Sequence, residues 1–350
     1  MAVLTAGGIR TRRTRAGVLT AALLLALGVA LTLAVCLGSV DVPAREVWSI
    51  VGRHLTGGGA GSTHDLIVWQ LRVPRALLAA LVGAGLGLVG TAVQALVRNP
   101  LADPYLLGVS SGASLGALGA IVLGIGVGGA LGLTVSAAAF GGALGSFALV
   151  WLVARRGGGF SPLRLVLSGI AVGQFLGGLC SYLVLQTGDE QQTRGVLFWL
   201  MGSLGGATWS QLAVPAAAVA LGGIALQARA RALNALVLGD ETAAGLGLDP
   251  DRLRRELFVA TSLLTGVLVA VSGAIGFVGL LVPHLCRLLV GGDHRRLLPL
   301  SALTGAVLLI AVDTVARTAL DAQEVPIGVV TALLGAPVLL FLLDRRQENR

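Results

Sequence analysis

Runs of apolar residues long enough to cross a bilayer recur ten times along the chain, at roughly 17–38, 74–97, 105–127, 131–154, 162–186, 209–228, 257–273, 275–291, 299–319 and 326–343. Crossing ~30 Å of hydrocarbon takes about 20 such residues as a helix, because lipid offers the backbone no hydrogen-bonding partner. The pattern predicts an all-α polytopic membrane protein of about ten transmembrane helices. Charged residues make up only 12% of the chain, against about 25% in ordinary soluble domains. The seventh and eighth runs nearly touch, and the split is expected at Ser272 to Ala274, beside Gly273. No linker or long polar segment divides the sequence. It therefore reads as one transmembrane domain, 1–350, with a short tail over 1–16 and its largest polar loop at about 229–256. The first segment has the charged-then-apolar order of a signal peptide, but its apolar part is long enough to span, so it is expected to remain as a helix.

All 25 basic residues are arginine, and no lysine occurs. A P-loop needs its lysine on the phosphates, which excludes that motif here. The net charge of +8 does not point to nucleic acid, since the arginines are scattered through short loops without stacking aromatics. Cys36, Cys180 and Cys286 lie in apolar runs without CxxC spacing and read as small core residues. With the N-terminus inside, only Arg45, Arg53, Arg72, Arg75, Arg194 and Arg317 fall outside. The excess of positive charge on inner loops then places both termini in the cytoplasm of a cell-membrane protein. Much of the glycine, 52 residues, lies within the spans, where small residues let helices pack closely. A weak echo between 83–117 and 266–306 suggests inverted repeats.

Four stretches carry more specific information: Arg72-Val-Pro-Arg75, the run from Asn99-Pro-Leu-Ala-Asp-Pro-Tyr to Ala113, the run from Gly273-Ala-Ile-Gly-Phe-Val-Gly through Val282-Pro-His to Arg287, and Glu324-Val-Pro-Ile-Gly328. In this order, and over nearly the whole chain, they resemble the FecCD-type permeases of ATP-binding cassette importers for iron-siderophores, haem and cobalamin. The resemblance implies a type II importer bundle paired with a second copy or a paralogue. It also implies two cytoplasmic ATPase subunits and an extracytoplasmic substrate-binding protein. ATP would be used by those partners, with no cofactor or metal held by this chain and no catalytic residue in it. An iron(III)-siderophore is the expected cargo, with haem and cobalamin as alternatives.

Carried onto individual residues, the resemblance makes Arg72, Arg75 and Arg317 candidates for docking the binding protein. The residues alone leave open a plainer role, helix anchoring for Arg72 and Arg75 and neutralisation by Asp313 for Arg317. Leu236, Gly239, Asp240, Glu241, Ala244, Gly245, Leu246 and Gly247 resemble the element that couples to the ATPase. Locally, Asp240 suits the cap of a short helix ended by Gly245, and Asp249-Pro250 suits the start of the next. Ser161, Pro162 and Leu163, after Gly157 to Gly159, resemble an inner gate, with Gln174 lining the pathway and spans five and ten forming its walls; an ordinary positive inner loop fits as well. Gln94 suits an interhelical hydrogen bond. His284 has no second ligand at helical spacing and is not expected to bind metal. An ion-coupled secondary transporter is the rival class, with Asp313 and Glu324 as its candidate coupling acids.

Overall fold

Every one of the ten apolar runs contains a helix in the computed structural model, which describes residues 6–38, 40–58, 61–123, 131–156, 160–187, 190–319 and 324–348. In order these are α1 (Ala6–Cys36), α2 (Ala44–Leu55), α3 (Thr63–Leu66), a π-helical stretch (Ile67–Arg72) leading into α4 (Val73–Val97), α5 (Val109–Val122), α6 (Leu131–Arg155) and α7 (Pro162–Leu185). Then follow α8 (Glu190–Leu200), α9 (Trp209–Ala228), α10 (Ala230–Leu238), α11 (Asp240–Gly245), α12 (Pro250–Ser272), α13 (Val278–Val290), α14 (His294–Thr318) and α15 (Ile327–Glu348). Among the described residues, seven helical stretches are long and apolar enough to cross a membrane. The third and eighth predicted spans instead hold shorter apolar helices, Val109–Val122 and Val278–Val290, while the tenth falls on the 22-residue α15. At 1.5 Å per residue, α5 reaches only about 21 Å. It is preceded by a 3₁₀ turn at Pro104–Leu107 and by Gly108 at φ +76°. The apolar pattern runs on through these irregular parts, so composition alone overestimates the helices. The surface helices α2 and α8 lie outside the predicted spans altogether. α2 is pinned by His64 Nδ1 to Glu46 at 2.9 Å and by His54 Nε2 to Asp65 at 3.0 Å.

α4 is the buried axis of the bundle. Of its apolar stretch 78% is buried, against 11% for α1. Lipid gives no hydrophobic drive between helices, so close contact must do the work, and glycine supplies it here. A Cβ at Gly83 would overlap the Gly305 carbonyl, one at Gly87 the Ser301 carbonyl, and one at Gly90 the Gly279 carbonyl. Backbone thus meets backbone along α4, α13 and α14. Gln94 Nε2 donates to the Leu280 carbonyl at 3.1 Å, the interhelical bond expected of it.

The quoted sequence stretches meet one another. α12 ends at Ser272 and α13 begins at Val278, with Gly273 and Phe277 both at φ +66°. The unwound backbone between them needs hydrogen-bonding partners. Tyr105 supplies two, its hydroxyl accepting from Ile275 N–H at 2.8 Å and donating to Ile275 O at 3.0 Å. Gly335 leaves the space that the Phe277 ring occupies. Ile327 and Gly328 donate to the carbonyls of Gly202 and Met201, each at 3.0 Å. A Cβ at Gly328 would strike the latter, which accounts for the glycine that closes Glu324-Val-Pro-Ile-Gly328.

Candidate functional site

Helix α4 carries one arginine cluster at its start and another at its end, and both engage distant segments. At the start, Arg72 and Arg75 are three residues apart and share a face. Arg75 is buried; its Nε donates to both Asp313 oxygens at 3.0 and 3.1 Å, and its Nη1 to Glu324 at 2.8 Å. Arg317, one turn beyond Asp313 on α14, also reaches that carboxylate at 3.4 Å.

The remaining guanidinium groups close the end of α1. A helix leaves its last four carbonyls without intrahelical partners. Here Leu33 O accepts from Leu37 N–H at 2.9 Å, Ala34 O from Arg317 at 2.7 Å, and Val35 O and Cys36 O from Arg72 at 2.9 Å each. Cations at a helix C-terminus also complement its dipole. The three arginines that are candidates for docking the binding protein are therefore brought together, and each already holds partners within the chain. Pairing with Asp313 extends beyond the Arg317 neighbour expected from spacing, because Arg75 takes most of that carboxylate. Three guanidiniums gather at this end with the carboxylates of Asp313 and Glu324, and the charge of Asp41 also acts on Arg72.

At its other end, α4 stops at Arg98, in the left-handed region at φ +56°. Asn99 N–H bonds Gln94 O at 3.1 Å and Arg98 N–H bonds Ala95 O at 3.2 Å, a Schellman closure with arginine where glycine is usual. Strain of this kind persists only where the surroundings hold it. Arg98 Nε donates to Leu236 O at 2.9 Å, and its guanidinium pairs with Asp240. Asp240 pairs in turn with Arg254, which is buried at the start of α12 and also bound to Asp251 at 3.3 Å.

Asp240 is thus the first residue of α11 and a bridge to two spans, not the predicted cap; Gly239 occupies the cap position with no side-chain bond. Gly245 is the last residue of α11, as expected, and the left-handed turn that follows belongs to Gly247 at φ +78°. Asp249 does cap α12, accepting from Asp251 N–H and Arg252 N–H at 3.0 Å each, with Pro250 following. Leu236 is fully buried and is removed from the contact surface. Val237, Leu238 and Leu246 are exposed beside Glu241, Ala244 and Gly245. Val237 and Leu238 lie in the same run and join those candidates at the surface, which helical spacing does not reveal, since Val237 follows buried Leu233 by four.

Asp293 sits beside this loop. Burial opposes its ionisation, but the Asn234 amide, the Arg295 N–H and the charges of Arg295 and Arg296 outweigh it and hold the carboxyl below its ordinary range.

Ser161 accepts from Arg164 N–H at 3.3 Å and Pro162 opens α7, as the sequence suggests. Gly157 to Gly159 lie outside the described residues. Phe160 packs on Trp151 with ring centroids 4.7 Å apart, anchoring the loop in a buried aromatic cluster with Phe258. α7 presents an exposed face in this chain, comprising Leu163, Leu167, Ile170, Gln174, Phe175 and Tyr182. Among the described residues, no group of three His, Cys, Asp or Glu is placed to hold a metal ion.

A model of the FecCD transport family matches residues 23–345. The cobalamin import system permease BtuC of Halobacterium salinarum is 43% identical over 293 residues, 83% of this chain and 76% of its own length. The hemin transport system permease HmuU of Yersinia pestis is 40% identical over 317 residues, 90% and 91% of the two chains. The vitamin B12 import system permease BtuC of Klebsiella pneumoniae is 42% identical over 344 residues, 98% of each. A solved structure described as an inward-facing metal-chelate type ABC transporter superposes with a TM-score of 0.82 at 32% identity, covering 94% of this chain and 99% of that one. Matched along nearly its full length in both sequence and bundle geometry, the chain belongs to the FecCD transport family and is a multi-pass permease of the ABC-importer type.

Proposed function

We propose that this permease passes a metal tetrapyrrole, a corrinoid or haem, through the cell membrane as an intact chelate. It would act as one of two paired permease subunits, driven by two separate ATPase subunits and loaded by an extracytoplasmic binding protein. The observation that carries the cargo assignment is the likeness to relatives named for cobalamin and hemin over most of the chain. The iron(III)-siderophore expected from the family at large has no such named relative among these. A chelator already satisfies its metal ion, so such traffic needs no metal ligand from the wall.

The same geometry supports the direction of work. With both termini cytoplasmic, the Arg98 end faces the ATPases, and Val237, Leu238 and Leu246 offer them an apolar surface. The Arg75 end then faces outward with three guanidiniums gathered on it, groups suited to carboxylates of a docking protein. The exposed α7 face, with Gln174, would border the pathway between paired subunits. An ion-coupled mechanism is disfavoured, since Asp313 and Glu324 are both already engaged by Arg75.

The test is uptake by proteoliposomes holding this chain with its ATPase and binding protein. ATP-dependent accumulation of labelled cobalamin or haem is expected. Accumulation of a ferric siderophore in their place would restore the siderophore reading. Accumulation by the permease alone, driven by an ion gradient, would overturn the importer mechanism.

A further inference from the structure

A cavity of about 420 Å³ opens between the N-terminal part of α1, the end of α9 and the first turn of α14, walled by Thr20, Gln227, Asp293, Arg295, Arg296 and Pro299 among others. The non-arginine polar groups of its wall already have partners. Thr20 donates to Ala16 O at 2.8 Å, Gln227 donates to Arg295 O at 3.0 Å, and Asp293 Oδ1 accepts from Asn234 at 2.8 Å and from Arg295 N–H at 3.1 Å. Asp293 is the one carboxylate in the wall. Neither Arg295 nor Arg296 forms a salt bridge within 4.0 Å among the described residues. Arg295 and Arg296 thus both line the cavity in the first turn of a 25-residue helix, and their two charges exceed that of Asp293, the carboxylate that caps it. Exposed Arg15 stands at the rim, next to the wall residue Ala16.

A second cavity lies on the same helix. An apolar groove of about 400 Å³ is lined by Leu24, Leu25, Gly28, Val29, Leu33 and, from α2, Trp48. Thr20 of the first cavity and Leu24, Gly28 and Thr32 of the groove follow one another at intervals of four, a single ridge of α1. A basic pocket at the point where an apolar helix begins, continued by an apolar furrow along that helix, matches a molecule with an anionic head and hydrocarbon tails.

We propose that this surface is a binding site for an anionic phospholipid, its phosphate held by Arg295 and Arg296 and its acyl chains laid along α1 from Leu24. The lipid would fasten the poorly buried α1 to α14 next to the α10–α11 element. Free inorganic phosphate shares the head chemistry but makes no use of the groove.

The test is native mass spectrometry of the detergent-purified transporter after incubation with phosphatidylglycerol or phosphatidylcholine. Selective retention of phosphatidylglycerol is expected, falling about thirtyfold in Arg295→Gln with Arg296→Gln, the loss of two interfacial guanidiniums. Gly28→Leu fills the groove without touching a charge, at a position where a Cβ meets open space. It should lower retention severalfold while leaving the melting temperature unchanged. Equal retention by wild type and both variants would overturn the site. Retention abolished by millimolar inorganic phosphate, but indifferent to Gly28→Leu, would reduce it to an anion site and overturn the lipid assignment. Loss of ATPase-subunit binding in the arginine variant, with phosphatidylglycerol retained, would assign the arginines to that interface instead.

Discussion

At the start of α4, Arg75 is buried against an acid on another span, Asp313 of α14; at its finish, Arg98 is partly exposed and grips Asp240, on a short surface helix. Both ends use an arginine on carboxylates, yet the partners differ in kind. Asp313 belongs to the bundle's frame and is fixed on all sides. Asp240 belongs to a small element whose other face is open, so force applied there reaches α4 and α12 through Arg98 and Arg254 at once. The contrast separates a structural clamp from a joint, and each can be tested by its own kind of failure.

The largest expected loss is at the clamp. Arg75→Ala leaves the buried Asp313 carboxylate with only its longer contact to Arg317, at a cost approaching about 3 kcal/mol, and should sharply lower the melting temperature in detergent. Arg75→Met combined with Asp313→Leu should recover most of the thermal stability, because well-packed apolar pairs commonly replace buried ion pairs without loss. A wild-type melting curve for Arg75→Ala would remove the clamp. Midway along the helix, Gly90→Ala drives a methyl group into the Gly279 carbonyl. Overpacking of this type costs about 1–3 kcal/mol, read as a lowered melting temperature.

The joint should fail differently. Asp240 is half exposed and the buried Arg254 keeps Asp251, so Asp240→Asn is expected to cost about 1–2 kcal/mol in stability, less than at the clamp. Transport per ATP hydrolysed by the reconstituted complex should fall severalfold; an unchanged ratio would place the coupling elsewhere. The smallest effect is expected from Glu324→Gln at the outer rim of the clamp. It leaves stability within about 0.5 kcal/mol and frees Arg75 Nη1 for an incoming carboxylate. Affinity for the binding protein, measured by titration, should then rise modestly. A fall would mean that Glu324 itself makes the docking contact.

Much of the frame could be read directly from residue order. Ten helices occupy the ten apolar runs, the break falls at Ser272 to Ala274, and Ser161-Pro162 and Asp249-Pro250 open helices as local chemistry dictates. These are features decided within a few residues. The two charge clusters were not legible, for the same reason. Arg75 and Asp313 stand 238 positions apart, and nothing in either neighbourhood announces the pairing. Arg72, Arg75 and Arg317 look like free charges until the end of α1 arrives with its unpaired carbonyls. Asp240 misled for a subtler reason: an acid before a short helix is an ordinary cap, and only the arrival of Arg98 and Arg254 gives it another use. The short α5 and α13 escaped because their unwound lead-ins are as apolar as the helices they precede.

The glycine contacts of α4 with α13 and α14 bear on how such a molecule can move. Where carbonyls already touch Cα atoms, no layer of side chains exists to shear or repack, and tilting either axis would force main-chain atoms through one another or open a gap that lipid cannot fill. In the transport cycle proposed above, alternation between open states would leave that seam shut and carry it along as one stiff body. The displacement would fall to walls that still have rotamers to change, such as α7, bare along one flank.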